Sequence, residues 1–427
     1  MITWLFVGFV ALLILRVPVA IAIFAASYFY ATFTGLLPQL SLASLAVNGV
    51  GGFLLVSIPT FILMAELMNR STITERIYSF ANSLVGHLRG GLAHVNVLTS
   101  LIFAGMSGSA IADIAGLGRI QIRAMTKAGY SLPLSAALTA ASATIGPVLP
   151  PSIIMVVFAS MAQVSVGAMF LGGVLPALIM AAAMSITVAA LSLRHGEWVR
   201  QPRAGWSERG RRMLQALPAL ATPAILLVGF LSGYWTPTEA GAVASLWAFL
   251  IAKYYYRDLS WHDVGDVLRR TAISSGNILL IFAAAHMLSQ IVALEGLATD
   301  LSDLLQTVTD NPIVVLLLIN LVMFVGGMLM EPTPFLLIMT PIIVKVAPLY
   351  DLNILHVGVM CVVNLMIGTI TPPFAIALFA VSDVAKVPFL ALVKATLPFY
   401  LPLLATVFIT MLFPQLVLFV PTHLFGF

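Results

Sequence analysis

Apolar residues run along this chain in blocks long enough to cross a bilayer, about 20 residues each. Short clusters of Gly, Pro, Ser and charged residues separate the blocks. The pattern predicts consecutive helices, with spans at about 131–162, 168–193, 216–232, 271–292, 354–383 and 388–421. Residues 2–33 fit either one long tilted span or two short ones around Arg16-Val17-Pro18. Segments near 72–88 and 257–270 mix polar and apolar positions and read as surface-lying amphipathic helices or as ordinary loops. Two further segments, 90–126 and 312–350, are too short for two full spans with a turn, yet each carries a Gly-rich interruption near its middle. Both read as re-entrant hairpins with polar tips at membrane depth.

The interruptions repeat. Ala104-Gly105-Met106 returns as Gly326-Gly327-Met328 at an offset of 222 residues, and Ile145-Gly146-Pro147-Val148-Leu149-Pro150-Pro151 returns as Ile367-Gly368-Thr369-Ile370-Thr371-Pro372-Pro373. The interval from Gly105 to Pro150 is 45 residues, as is that from Gly327 to Pro372. Paired breaks at corresponding positions of two halves point to a binding site at the repeat interface of a transporter.

Composition agrees with the pattern. The chain is 61% hydrophobic and 8% charged, against roughly 25% charged in soluble domains. Six arginines against Glu197 and Glu208 give the stretch Arg194–Arg212 a net +4, the excess of the whole chain. That loop marks the cytoplasmic side, and the basic balance reports membrane orientation, not nucleic-acid binding. Counting spans outward from it puts Glu295–Asn311, which holds four acids and no base, on the other side. The two hairpins then enter from opposite faces, so the repeats are inverted. The apolar start at Ile2 lacks a preceding basic region, which argues for a retained first segment over a cleaved signal. Cys361 is the only cysteine and offers neither a disulfide nor a thiolate cluster.

Backbone that leaves the helix at membrane depth survives only where it lines a cavity or is buried in protein. In Gly105-Met106-Ser107-Gly108-Ser109 the glycines permit a reversal and free carbonyls for a small cation, while Ser107 and Ser109 add hydroxyls. A half-helix starting near Ser109 would aim its positive end at an anion. The alternative is a tight helix contact through small residues. The prolines after Gly146 and Gly368 remove backbone donors and expose carbonyls that suit Na⁺, unless the helices are merely kinked. Asp113 and Glu331 are acids at or near the hairpin tips and are candidate site residues. Asp113 could support an ion's ligands from behind without touching the ion, carry a proton, or pair with Arg119 or Arg123. Arg119 is a candidate for attracting an anionic substrate, although anchoring by the positive-inside rule accounts for it and for Arg123. Glu239 reads as a helix cap and His286 as a packing residue. No HExxH, GxSxG or phosphate-cradling Gly-Lys-Ser/Thr motif occurs, so neither an enzyme nor an ATP-driven pump is supported.

The runs Ser107-Gly108-Ser109-Ala110-Ile111-Ala112-Asp113, Ala128-Gly129-Tyr130, Ile145–Ser152, Ile354–Val359 and Asn364–Pro373 together resemble the large membrane subunit of tripartite ATP-independent periplasmic (TRAP) transporters over nearly the whole chain. The resemblance implies an inner-membrane, multi-pass secondary importer of a carboxylate-bearing solute, driven by Na⁺ as co-transported ion and using no organic cofactor. It further implies a separate small membrane subunit of about four helices and a periplasmic substrate-binding protein. The implied fold is of the elevator type, an all-α polytopic protein in which two re-entrant hairpins and two broken helices slide along a scaffold. One Na⁺ site would use Ser107 with carbonyls near Gly146, Val148 and Pro150. A second would use Gly326 or Gly327 with Thr369 and Thr371. Ser109, Asp113, Glu331 and Arg119 are the candidate substrate contacts. Arg119 and Arg123 depart from the small or apolar residues the resemblance leads one to expect.

On this reading residues 1–70 are scaffold helices. Residues 71–193 form the first repeat, with an arm helix, hairpin 90–126, broken helix 131–162 and span 168–193. A basic loop at 194–215 and scaffold helices at 216–256 lead to a second repeat at 257–427, built of an arm helix, a span, hairpin 312–350, broken helix 354–383 and a last span. The competing readings are a stand-alone Na⁺/dicarboxylate symporter of the same superfamily, and a channel or membrane scaffold.

Overall fold

Helix boundaries fall where the sequence removes a backbone donor or lets φ turn positive. The computed structural model describes residues 2–194, 198 and 200–425, and no strand occurs among them. The first half contains α1 (Thr3–Ile14), α2 (Val19–Thr34), α3 (Gln39–Val50), α4 (Ser57–Arg70), α5 (Ile73–Val85), α6 (Gly91–Ser107), α7 (Ala110–Gly116), α8 (Gly118–Lys127), α9 (Leu132–Ala143), α10 (Ile153–Ala162) and α11 (Val166–Arg194). The second contains α12 (Trp206–Leu231), α13 (Pro237–Leu250), α14 (Trp261–Leu294), α15 (Leu297–Val308), α16 (Pro312–Leu329), α17 (Pro332–Val346), α18 (Ile354–Gly368), α19 (Ile376–Ala385), α20 (Phe389–Leu412) and α21 (Pro414–Phe425). Seven helices among the described residues are long and apolar enough to cross a bilayer, or eight if the bent pair α6–α7 counts as one.

Of the two arrangements open for residues 2–33, the chain takes the two-helix one. It reverses at Arg16, whose φ is 63°, and Pro18 disfavours helical geometry at Val17 before α2 begins. The expected separate helix at 257–270 is not formed. Ser260 and Asp263 make a reciprocal capping box, and α14 then runs unbroken to Leu294. Gly265 and Gly276 lower helix propensity, but with no proline beside them neither stops the helix. The 222-residue offset instead carries the amphipathic α5 onto α15, and it carries α6, α9, α10 and α11 onto α16, α18, α19 and α20. The last predicted span is likewise divided, into α20 and α21, at Phe413-Pro414. Glu239 completes a capping box with Thr236 at the start of α13.

Packing follows the repeat. Helix α10 lies against α17, and its counterpart α19 lies against α7. In the same exchange α11 packs on α18 while α20 packs on α9, and α2 lies along α14 while α13 lies along α4. Helix α12 crosses α5, where Arg209 and Arg212 donate to the Ser83 and Ser79 carbonyls. Residues 195–197 and 199 of the basic loop lie outside the described residues, while Trp198 stacks on Tyr130 with ring centroids 4.3 Å apart.

Each hairpin is fastened to its broken helix by a buried polar contact. Ser142 Oγ on α9 donates to Asn96 Oδ1 on α6 at 2.7 Å. On the other side Asn364 Nδ2 on α18 donates to Asn320 Oδ1 and the Asn320 carbonyl on α16, at 2.6 and 2.9 Å. Removing one member of such a pair leaves buried polar atoms without partners. Asn364→Leu is therefore expected to cost about 1–3 kcal/mol, read as a lowered unfolding midpoint of the purified protein in detergent. An unchanged midpoint would mean that water replaces the amide there.

Candidate functional site

Both predicted tips are true breaks. Helix α6 ends at Ser107, the chain turns through Gly108 at φ +60°, and α7 leaves at 119° to α6. Ser109 is the N-cap of α7, its side chain accepting from the Ala112 N–H at 3.4 Å. In the second half α16 ends at Leu329 and α17 starts at Pro332, with Glu331 as N-cap. The broken helices part at 144–152 and 369–375, and Ser152 caps α10 by accepting from the Met155 N–H at 3.2 Å.

The tips and the broken helices meet pairwise, because glycine lets backbone touch backbone. A Cβ at Gly108 would lie 2.3 Å from the Pro151 carbonyl oxygen, and one at Gly368 would lie 2.6 Å from the Gly327 carbonyl carbon. The Phe374 N–H donates to the Met328 carbonyl at 3.2 Å, stitching the second pair together. The X-Pro bonds Pro150-Pro151 and Pro372-Pro373 are both cis, at positions related by the same offset.

Between the two pairs lies a cavity of about 90 Å³. Gly108, Ser109, Pro147, Glu331, Thr333 and Thr369 line it, together with the first residues of α10, α17 and α19. Three helices of ten or more residues thus aim their N-termini into one space, where unpaired N–H groups and the macrodipole favour a bound anion. Only Ile278 of α14 contributes from outside the hairpins and broken helices.

Behind Ser109 is a group rich in oxygen. Asp113 is 2% exposed. One of its carboxylate oxygens accepts from Ser107 Oγ, and the other has no hydrogen-bond partner. That free oxygen faces Gly146, where a Cβ would stand 2.6 Å from it. Among the described residues the carbonyls of Gly146, Val148 and Pro150 accept no hydrogen bond, whereas that of Pro147 accepts from Ser152 Oγ at 2.5 Å. Buried carbonyls without partners are rare in folded proteins. Of these residues Gly146 lies beside the unsatisfied carboxylate oxygen, while the Val148 carbonyl faces Gly173 on α11 and the Pro150 carbonyl lies near Gly105. A carboxylate and backbone carbonyls are donors that suit a hard cation.

The second break is more fully satisfied. Thr369 and Thr371 hydroxyls donate to the Met366 and Ile367 carbonyls at 2.6 and 2.8 Å, which leaves their lone pairs as acceptors. The carbonyls of Gly368, Thr369 and Ile370 accept from Thr371 N–H, Ala377 N–H and Tyr400 Oη respectively. Gly326 accepts from the Met330 N–H at 3.0 Å, and Gly327 abuts Gly368.

The residues singled out in the sequence therefore separate into three places. Ser109, Glu331 and Thr369 share the central cavity. Ser107, Asp113, Gly146, Val148 and Pro150 belong to the buried oxygen group or flank it, so Asp113 does not line the cavity. Arg119 lies elsewhere, in a polar cleft of about 330 Å³ with Arg123, Asp383 and Lys386. Lys386 and Asp383 pair there at 2.6 Å. His286 packs closely against Gly49, far along α14 from the cavity-lining Ile278. Sequence reasoning passed over Thr333, Ser152 and Tyr400. Thr333 sits in the run Glu331-Pro332-Thr333-Pro334, whose paired prolines could have flagged it, and Ser152 directly follows the first Pro-Pro pair. Nothing local marks Tyr400. Among the described residues no group of His, Cys, Asp and Glu has the makings of a transition-metal site.

Comparison with known proteins places the chain in a family. The family described as "Tripartite ATP-independent periplasmic transporter, DctM component" matches residues 6–416. The chain is 37% identical over 420 residues to the sialic acid TRAP transporter large permease protein SiaM of Vibrio cholerae, covering 98% of each. It is 34% identical over 443 residues to the C4-dicarboxylate TRAP transporter large permease protein DctM of the same species, covering 99% of this chain and 98% of that protein. Against the sialic acid TRAP transporter permease protein SiaT of Haemophilus influenzae it is 32% identical, covering 99% of this chain and 68% of the relative. In fold it is similar to the YdaH transporter of Alcanivorax borkumensis, with a TM-score of 0.63 at 14% identity over 87% of each chain. These relatives are permeases rather than enzymes. With its all-helical, multi-span architecture, the chain belongs to the tripartite ATP-independent periplasmic transporter family as its large permease component, an integral protein of the inner membrane.

Proposed function

We propose that this subunit imports a carboxylate-bearing solute together with Na⁺, by moving the hairpins and broken helices as one body along the remaining helices. The observation that carries the reading is the central cavity. Helix N-termini from both repeats converge on it, and every lining residue but Ile278 belongs to the body that would move. Sialic acid and C4-dicarboxylates, named for the relatives, are both carboxylates, and a carboxylate meets the positive helix ends. Glu331 in the same cavity adds an acceptor. That favours a solute pairing its carboxylate with hydroxyl or N–H donors.

Charge explains the coupling. A body that crosses the bilayer with Asp113 and an anionic solute buried in it bears a desolvation cost of several kcal/mol per uncompensated ion. A Na⁺ held by Ser107, Asp113 and the carbonyls of Gly146, Val148 and Pro150 offsets the Asp113 charge. A second, held by Thr369 and Thr371 with a backbone oxygen from Gly326 or Gly327, offsets the solute. Loaded fully, the body moves; loaded partly, it stays.

The partners are a small membrane subunit and a periplasmic binding protein. The portion of SiaT beyond the 68% matched here is room for such a subunit. Reconstitution tests the proposal. Proteoliposomes holding both membrane subunits should accumulate solute only with an inward Na⁺ gradient and the cognate binding protein. Uptake by this chain alone would point to a stand-alone symporter, and non-saturable flux without Na⁺ to a channel; either result overturns the reading.

A further inference from the structure

The two breaks are related by the 222-residue offset, yet their carbonyls are not equally free. Val148 in the first break accepts no hydrogen bond, while its counterpart Ile370 accepts one from Tyr400 Oη at 2.7 Å. Tyr400 stands on α20 between Pro398 and Pro402. The position equivalent to it on α11 is Leu178, an exposed aliphatic residue that offers no donor. The tyrosine therefore breaks the symmetry of the repeat at one of the two proposed ion sites. Ile370 itself is fully buried and is flanked by Thr369 and Thr371, whose hydroxyls are anchored to Met366 and Ile367. The tyrosine hydroxyl holds the carbonyl between these two anchored threonines, and with it the backbone that carries them.

We infer that Tyr400 is a positioning residue for the second cation site. Its hydroxyl takes the Ile370 carbonyl out of the ligand set and holds the Thr369–Thr371 loop so that the two threonine hydroxyls, not that carbonyl, face the ion. The first site, which includes a carboxylate, then binds Na⁺ more strongly than the second. This inference rests on the Na⁺-coupled reading above. Without the hydroxyl, the Ile370 carbonyl lacks its partner and reorients toward other donors, turning the flanking threonines with it.

The test is Tyr400→Phe in the reconstituted complex, measuring uptake against Na⁺ concentration and, separately, against solute at saturating Na⁺. Loss of one such hydrogen bond is expected to raise half-saturating Na⁺ roughly threefold to tenfold. Half-saturating solute at saturating Na⁺ should move less than half-saturating Na⁺ does, since of the cavity lining only Thr369 lies on the loop that turns. Purified protein gives a second readout that needs no transport: the Na⁺-dependent rise in unfolding midpoint should shrink in the Phe variant. Tyr400→His, which keeps a ring N–H donor on a shorter side chain, should fall between the two. Leu178→Phe at the equivalent position should leave Na⁺ dependence unchanged. If native uptake and unfolding are indifferent to Na⁺, the coupled reading and this inference fall together. If native uptake is Na⁺-dependent and the Phe variant keeps its half-saturation, or loses Na⁺ and solute affinity equally, the inference alone is overturned.

Discussion

Asp113→Asn is expected to abolish Na⁺-driven uptake at ordinary Na⁺ concentrations while leaving the protein assembled. The carboxylate is buried, one oxygen is held by Ser107, and the other faces the opened backbone at Gly146 without a partner. A bound cation is the only group in the proposed mechanism that satisfies this oxygen. Amidation removes the charge but keeps the shape, so the hairpin still packs on the broken helix. Removing one member of a buried ion pair costs about 3–5 kcal/mol, which corresponds to a loss of roughly two to four orders of magnitude in Na⁺ affinity. Uptake measured over a wide Na⁺ range, with the unfolding midpoint as a control for assembly, would read this directly. Normal Na⁺ dependence in the Asn variant would show that the first cation site lies elsewhere.

The second large effect is expected at Gly108. Its φ of +60° costs a residue with a side chain about 1–2 kcal/mol, and a Cβ there would sit 2.3 Å from the Pro151 carbonyl oxygen. The clash is with backbone, which cannot rotate away, so overpacking adds about 1–3 kcal/mol. Gly108→Ala should therefore lower the unfolding midpoint clearly and separate the tip from the broken helix, with loss of uptake even at saturating Na⁺. Gly105 supplies the contrast. It lies within α6, and a Cβ added there would find a Pro223 side-chain carbon at 3.0 Å as its nearest contact. Gly105→Ala is the milder change and should be tolerated better. Equal damage at both positions would mean that helix crowding, and not the tip conformation, governs stability here.

Much of this was legible along the chain because the signals are local. A Ser-Gly-Ser, Glu-Pro or Gly…Pro-Pro interruption in apolar sequence breaks the helix locally, so the breaks after Ser107, Leu329, Ala143 and Gly368 lie where the residues put them. The same local logic fails at 257–270. Polar residues there signal exposure, but without a proline they do not end a helix, and α14 runs through. Long-range pairing was not legible. Asp113 and Glu331 look alike in sequence, each an acid near a tip, and folding sends one behind the hairpin and the other into the cavity. Arg119, close to the tip in number, is carried along α8 to a separate cleft beside α19.

The sequence by itself determined that the chain is a helical membrane protein of two related halves, where its helices break, and which family it joins, because hydrophobic runs, proline and glycine act on their own neighbours. Tertiary structure alone decided which breaks face each other, which carbonyls stay free and that Tyr400, remote in sequence, closes one of them. Those outcomes depend on backbone meeting backbone across helices, and nothing in a local run of residues encodes what will stand on the other side.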